Sequence, residues 1–190
     1  MSSRSFTAYL DVLLRDAEEI QYAHKRLRTG GVGRQWKLGA LNRAVVVTAV
    51  SAWEAYVEEL VKEAVDALRP PSPPMGAWPA LNAAALSLVG RFNNPNPVNV
   101  RSLFRETLGV LDVSLAWSWK RVDSDRARER LGEALRLRHE IAHGVNPRPT
   151  VHNKYARELP GFFRRLGRCT DGAVRDHLTD VLGITSPWPA

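Results

Sequence analysis

Between about Lys37 and Leu68 the chain carries an apolar stripe at helical spacing: Val46, Val50, Trp53, Val57, Leu60, Ala64 and Leu68. From Ala44 to Trp53 the remaining faces are apolar as well, so this helix must be surrounded on most sides. Pro70-Pro-Ser-Pro-Pro74 then stops it, because proline lacks the amide N–H and clashes with the preceding turn. A long helix buried all round needs other helices or a sheet against it, and no paired strand pattern is found elsewhere. The expected fold is therefore all-α: a helical bundle built on one long central helix, with a proline- and asparagine-rich middle region.

The other segments agree. Phe6, Tyr9, Leu10, Leu13, Ala17, Ile20, His24 and Leu27 form one stripe, closed by the glycines of Thr29-Gly-Gly-Val-Gly33. His24 lies on that stripe and reads as a core histidine. Ala80–Val89 and Val100–Leu108 read as short helices, the second with Asn99 as its N-cap, separated by the turn chemistry of Phe92-Asn-Asn-Pro-Asn-Pro97. Leu115–Trp119 alternates like a strand but has no partner strand, so it reads as ordered loop packing two tryptophans onto the core. Asp123-Ser124 caps a helix reaching His143, with Leu131, Ala134, Leu135, Ile141 and Ala142 facing inward and Gly144 ending it before Val145-Asn-Pro-Arg-Pro149. A last helical segment is expected from Thr150 to about Leu182, kinked or broken at Pro160-Gly161. We expect one domain over residues 1–190.

The net charge of +7 favours polyanionic partners, although an arginine-rich composition also serves solubility. The single cysteine, Cys169, excludes an internal disulfide. The absence of a long apolar run argues against a membrane span, and Met1–Phe6 carries no signal-peptide pattern, so a cytoplasmic location is expected. Arg164, Arg165 and Arg168 form a basic cluster on the last helix, read as a solvated face or an RNA-facing edge. The six tryptophans read as packing and interface anchors, with no aromatic–basic interleaving around them.

The densest polar cluster is Arg136-Leu-Arg-His-Glu-Ile-Ala-His-Gly144, and two chemistries can be read in it. His139-Glu-Ile-Ala-His143 matches the zinc pattern H-E-x-x-H, with two histidines on one helix face and Glu140 beside them. A zinc hydrolase would need a third ligand from His152 or Glu158 and an upstream sheet, and two arginines, Arg136 and Arg138, would repel the dication. The second chemistry is R-x4-H, formed by Arg138 and His143. His143 can exchange a proton near neutral pH, and Arg138 carries a fixed charge with a fork of donors for phosphate oxygens. Glu54 is the polar exception in the most apolar part of the central helix and must be paired or protonated; Arg138 or a neighbouring arginine is its expected partner.

Arg138-His-Glu-Ile-Ala-His-Gly144 resembles the Arg-polar-x-x-Ala-His-Gly signature of HEPN domains. Ser51-Ala-Trp-Glu-Ala-Tyr-Val-Glu-Glu-Leu60 resembles the small-aromatic-Glu stretch of the RiboL-PSP-HEPN branch. Phe92-Asn-Asn-Pro-Asn, Leu103-Phe104, Leu108-Gly109 and Trp117-Ser-Trp119 resemble its middle region, so the likeness spans roughly residues 40 to 145. A tyrosine that another HEPN branch places two positions after the histidine is replaced here by Val145. The resemblance implies a helical endoribonuclease acting without metal or cofactor through Arg138 and His143 at a homodimer cleft, with RNA as substrate. His139 and Glu54 would support the pair, and Asn146 and Arg148 would touch the RNA backbone. It also implies a toxin or defence setting, in which an antitoxin partner is expected. A non-catalytic HEPN module that binds RNA or a protein is the main alternative, and the zinc hydrolase the lesser one.

Overall fold

The structure, a computed structural model, describes residues 2–28, 36–72, 74–144 and 150–188. A π-helical turn, Ser5–Leu10, runs directly into α1, Asp11–Leu27. There follow α2 (Trp36–Ala67), α3 (Trp78–Val89), α4 (Pro97–Leu108), a 3-10 turn (Val113–Ala116), α5 (Ser124–His143) and α6 (Asn153–Asp180). Among the described residues the nearest approach to a strand is a single bridge between Trp119 and Val122. None of these helices is long and apolar enough to cross a membrane. The fold is the expected all-α bundle. The glycine run at 29–33 and the proline turn at 145–149 lie outside the described residues.

The central position of α2 follows from its sequence. Val45, Val46, Ala49, Val50, Trp53, Tyr56, Val57, Leu60 and Val61 are all fully buried, more than one face of a helix can hold. Helices α1, α3, α4, α5 and α6 all pack on it. Trp53 sits at the middle, with its ring centroid 5.6 Å from Tyr56, 6.0 Å from Trp117 and 6.1 Å from Phe163. Its indole N–H donates to the carbonyl of Pro95 at 3.1 Å, and that of Trp117 donates to Thr170 Oγ1 at 2.9 Å. Both large rings are thus buried with their one polar atom satisfied. Leu115–Trp119 packs as expected at its tryptophans, while Leu115 itself faces solvent.

Three local expectations are corrected. The cap of α4 is Asn96, whose side chain accepts from the amide of Asn99 at 2.9 Å. Pro97 then takes the first helical position, where its missing N–H costs nothing, so the helix starts earlier than Asn99. In α6 the helix continues through Pro160 without a break. Proline deprives the Ala156 carbonyl of its helical donor, but Leu159, Pro160, Phe162 and Phe163 are all buried, and that packing holds the two halves in one continuous helix. Finally, Ala142 is exposed rather than inward-facing, and Leu135 and Ile141 are only half-buried.

Contacts distant in sequence hold the ends of the chain. The amide of Ser3 donates to both carboxylate oxygens of Asp171, at 3.1 and 3.2 Å. The amides of Arg4 and Ser5 donate to Glu63 at 2.8 and 2.7 Å. Tyr56 Oη donates to the carbonyl of Gly167 at 2.8 Å, fixing α6 against α2. Gly167 has no room for a side chain, since a Cβ there would overlap Leu10 Cδ2.

Candidate functional site

The helix that carries the polar cluster is held at both ends by its own sequence. Asp123 accepts from the amide of Arg126 at 2.8 Å, and Gly144, at φ 65°, supplies the left-handed residue that ends α5. His143 is therefore the last helical residue, exposed at the rim of the bundle. The start of α6 is pinned beside it by Asn42, whose Nδ2 donates to the carbonyl of Val151 at 3.0 Å.

Arg138 points the other way, towards α2. Its Nη2 lies 3.8 Å from Glu54 Oε2, so the ion pair expected from the sequence is present. That separation is beyond hydrogen-bonding distance. The carboxylate restrains the guanidinium by charge while leaving its N–H donors free for another acceptor. The two side chains are 33% and 19% exposed, so the pair sits at the edge of the core with access to solvent. Burial raises the pKa of Glu54 above the ordinary carboxylate value; Arg138 opposes this and Glu58 reinforces it. Glu58 is itself raised, again chiefly by burial. Sequence reading overlooked Glu58, although its i+4 spacing from Glu54 places both carboxylates on one face of α2.

His139 and His143 stand one helical turn apart with ring centroids 4.4 Å from each other and planes inclined by 40°. His139 and His143 are both exposed. The structure thus joins Arg138 to Glu54 and His139 to His143, on different sides of α5. This follows from the five-residue spacing, which at about 100° per residue sets Arg138 and His143 about 140° apart. Among the described residues no three His, Cys, Asp or Glu side chains converge as a metal ligand set would. Glu158, one of the two candidate third ligands for zinc, is instead paired with Arg130 at 3.0 Å. His152 helps line a cleft of about 270 Å³ between α5 and the start of α6, with Arg136, Glu140 and Tyr155. Asn146 and Arg148, expected to touch RNA, lie outside the described residues.

The family model for RiboL-PSP-HEPN matches residues 11–176. The chain belongs to the RiboL-PSP-HEPN family. No curated protein and no solved structure matches it. The HEPN match begins at the start of α1 and ends near the last turn of α6, so Glu54, Arg138, His139 and His143 all fall within it. The resemblance drawn from the sequence covered a shorter stretch and identified the same family.

Proposed function

We propose that this HEPN protein is an endoribonuclease that cleaves RNA without a metal ion, using Arg138 and His143 of two chains related by a two-fold axis. The observation that carries the reading is the placement of Arg138. It is a permanent cation restrained by Glu54 at 3.8 Å and, among the described residues, with its hydrogen-bond donors free, on the helix whose exposed end presents His143. Strand scission by internal attack requires three things that these side chains supply. A neutral imidazole of His143 takes the proton from a ribose 2′-hydroxyl, and the 2′-oxygen attacks the adjacent phosphorus. The bond from phosphorus to the 5′-oxygen breaks, and that oxygen takes a proton from the imidazolium of the partner subunit's His143. Arg138 stabilises the extra negative charge on the phosphorane. The products are a 2′,3′-cyclic phosphate and a 5′-hydroxyl, with no atom left unaccounted for.

The dimer answers a geometric need. One chain holds Arg138 and His143 on different sides of α5, whereas two exposed α5 ends meeting about a two-fold axis would bring two of each to one cleft. His139, in contact with His143, would orient that ring or bind substrate. Asn146 and Arg148, next along the chain, would meet the RNA backbone. We extend the reading to a cytoplasmic toxin or defence component whose activity an antitoxin restrains. The same separation within one chain favours the second reading, a HEPN module that binds RNA or a protein without cleaving.

The test is cleavage of an end-labelled structured RNA in EDTA by wild type, Arg138→Ala and His143→Ala. Cleavage that leaves a cyclic phosphate, and that both substitutions abolish, is the expected result. Intact RNA with wild type would transfer the case to the binding module, and cleavage seen only with added zinc would transfer it to the H-E-x-x-H reading.

A further inference from the structure

The arginine cluster on α6 divides in a way the sequence does not show. Arg164 turns towards α1, where it donates to Asp11 at 2.6 Å and Glu18 at 2.9 Å. Arg165 and Arg168 turn to another flank. There they line a cleft of about 530 Å³ together with Cys169 and with Trp119, Lys120 and Arg121 from the link into α5. No carboxylate lines this cleft. Among the described residues Lys120, Arg121, Arg165 and Arg168 form no ion pair; Arg168 lies over the ring of Phe6 at 5.8 Å. Four cations share a concave surface without an internal counter-charge, which concentrates positive potential there.

The aromatic residue is held in place. Trp119 packs on Phe162, ring centroids 5.9 Å apart, and remains half-exposed. Trp119 and Val122 exchange both backbone hydrogen bonds, at 2.9 and 2.8 Å, closing a two-residue turn that carries Lys120 and Arg121 outward. Arg121 adopts φ 69° in that turn, a conformation that favours glycine and that costs on the order of 1 kcal/mol for other residues. The sequence reading found no aromatic–basic interleaving; Trp119-Lys-Arg121 is a short instance, and the fold completes it with α6.

We infer that this cleft is a second binding site for RNA, taking a single-stranded segment with one base against Trp119 and its phosphates on Lys120, Arg121, Arg165 and Arg168. Base-on-indole stacking beside a row of cations is how unpaired strands are bound without sequence preference. The cleft abuts the N-terminal end of α5, and His143 is the last of that helix's 20 residues, which puts about 30 Å between the two. The inference rests on RNA as the partner under the proposed function but needs no cleavage.

The experiment uses His143→Ala protein, so that binding is read without turnover, and a fluorescent oligoribonucleotide long enough to span α5. In fluorescence anisotropy, Arg165→Glu/Arg168→Glu should raise Kd at least about tenfold. It should also flatten the salt dependence by about 0.7 for each phosphate that the protein no longer neutralises. Lys120→Glu, on the other wall, should act in the same direction, and circular dichroism should show both variants folded. Cys169, the only cysteine of the chain, reports occupancy: RNA should slow its alkylation by uncharged N-ethylmaleimide in the parent but not in the charge-reversed proteins. Unchanged Kd together with unprotected Cys169 would overturn the inference, and duplex RNA binding as tightly as the single strand would overturn its single-stranded part. RNA binding that depends on this cleft in a wild type that never cleaves would refute the nuclease and leave this site standing.

Discussion

Glu54 and Arg138 face each other across the α2–α5 contact at 3.8 Å, a charge pair in which neither partner uses its hydrogen bonds on the other. Burial dominates the electrostatics of the carboxylate and raises its pKa despite the arginine. A raised carboxylate in the folded state makes its contribution to stability largest in acid, and that contribution is lost as pH rises through the folded value. Glu54→Gln should therefore gain melting temperature relative to wild type as pH climbs from below the ordinary 4.5 to neutrality. Scanning calorimetry at several pH values checks this, and a gap that shrinks with rising pH would contradict it. The same variant should cleave RNA about 10- to 100-fold more slowly, because Arg138 loses the charge that aims it.

If the reactive cleft is shared and uses both His143 rings, His143→Ala protomers should poison wild type. Co-expressed in excess, they should strip wild-type chains of most of their activity, because each mixed dimer lacks one of the two imidazoles. Sedimentation of wild type should show a dimer. A monomer, or wild-type chains whose activity the excess variant leaves unchanged, would remove the two-fold arrangement.

Gly167 lies where α6 meets the first turn of the chain. Leu10 is fully buried, so its Cδ2 has to shift inside a packed core to make room for a Cβ at that position. Gly167→Ala should cost about 1–3 kcal/mol, seen as a lower urea midpoint. An unchanged midpoint would mean that Leu10 has room the packing does not show.

Thr170→Val should cost about 1–3 kcal/mol, since it orphans the buried indole N–H of Trp117. Thr170→Ser, which keeps the hydroxyl, should recover most of that. Equal losses in both variants would point to the methyl group rather than the hydrogen bond.

The features readable from sequence were those set by neighbours on one helix. The stripe on α2, the Asp123 and Gly144 caps of α5, and the divergence of Arg138 and His143 all follow from helical period and local backbone chemistry. What the sequence concealed depended on partners far along the chain. Pro160 reads as a break, and only the burial of its surroundings shows why α6 continues. Asn96 and Asn99 are equally good caps by composition; Pro97 decides between them by fitting the first helical position. Arg164, Arg165 and Arg168 look alike in sequence, yet Asp11 and Glu18 on α1 engage only the first. For the same reason the anchoring of Ser3 by Asp171 could not be foreseen from residues 168 positions apart.

The burial of α2 also sets an order in which the molecule can come apart. Amides near Trp53 and Tyr56 can meet deuterated solvent only when the helices around them have all left, so their exchange should report global unfolding. The exposed last turn of α5 can open alone and should exchange far sooner. Glu54 thus sits on the slowest-exchanging helix and His143 on one of the fastest-exchanging ends. Under the proposed function, RNA would remould the histidine side of the cleft without disturbing the support beneath its arginine.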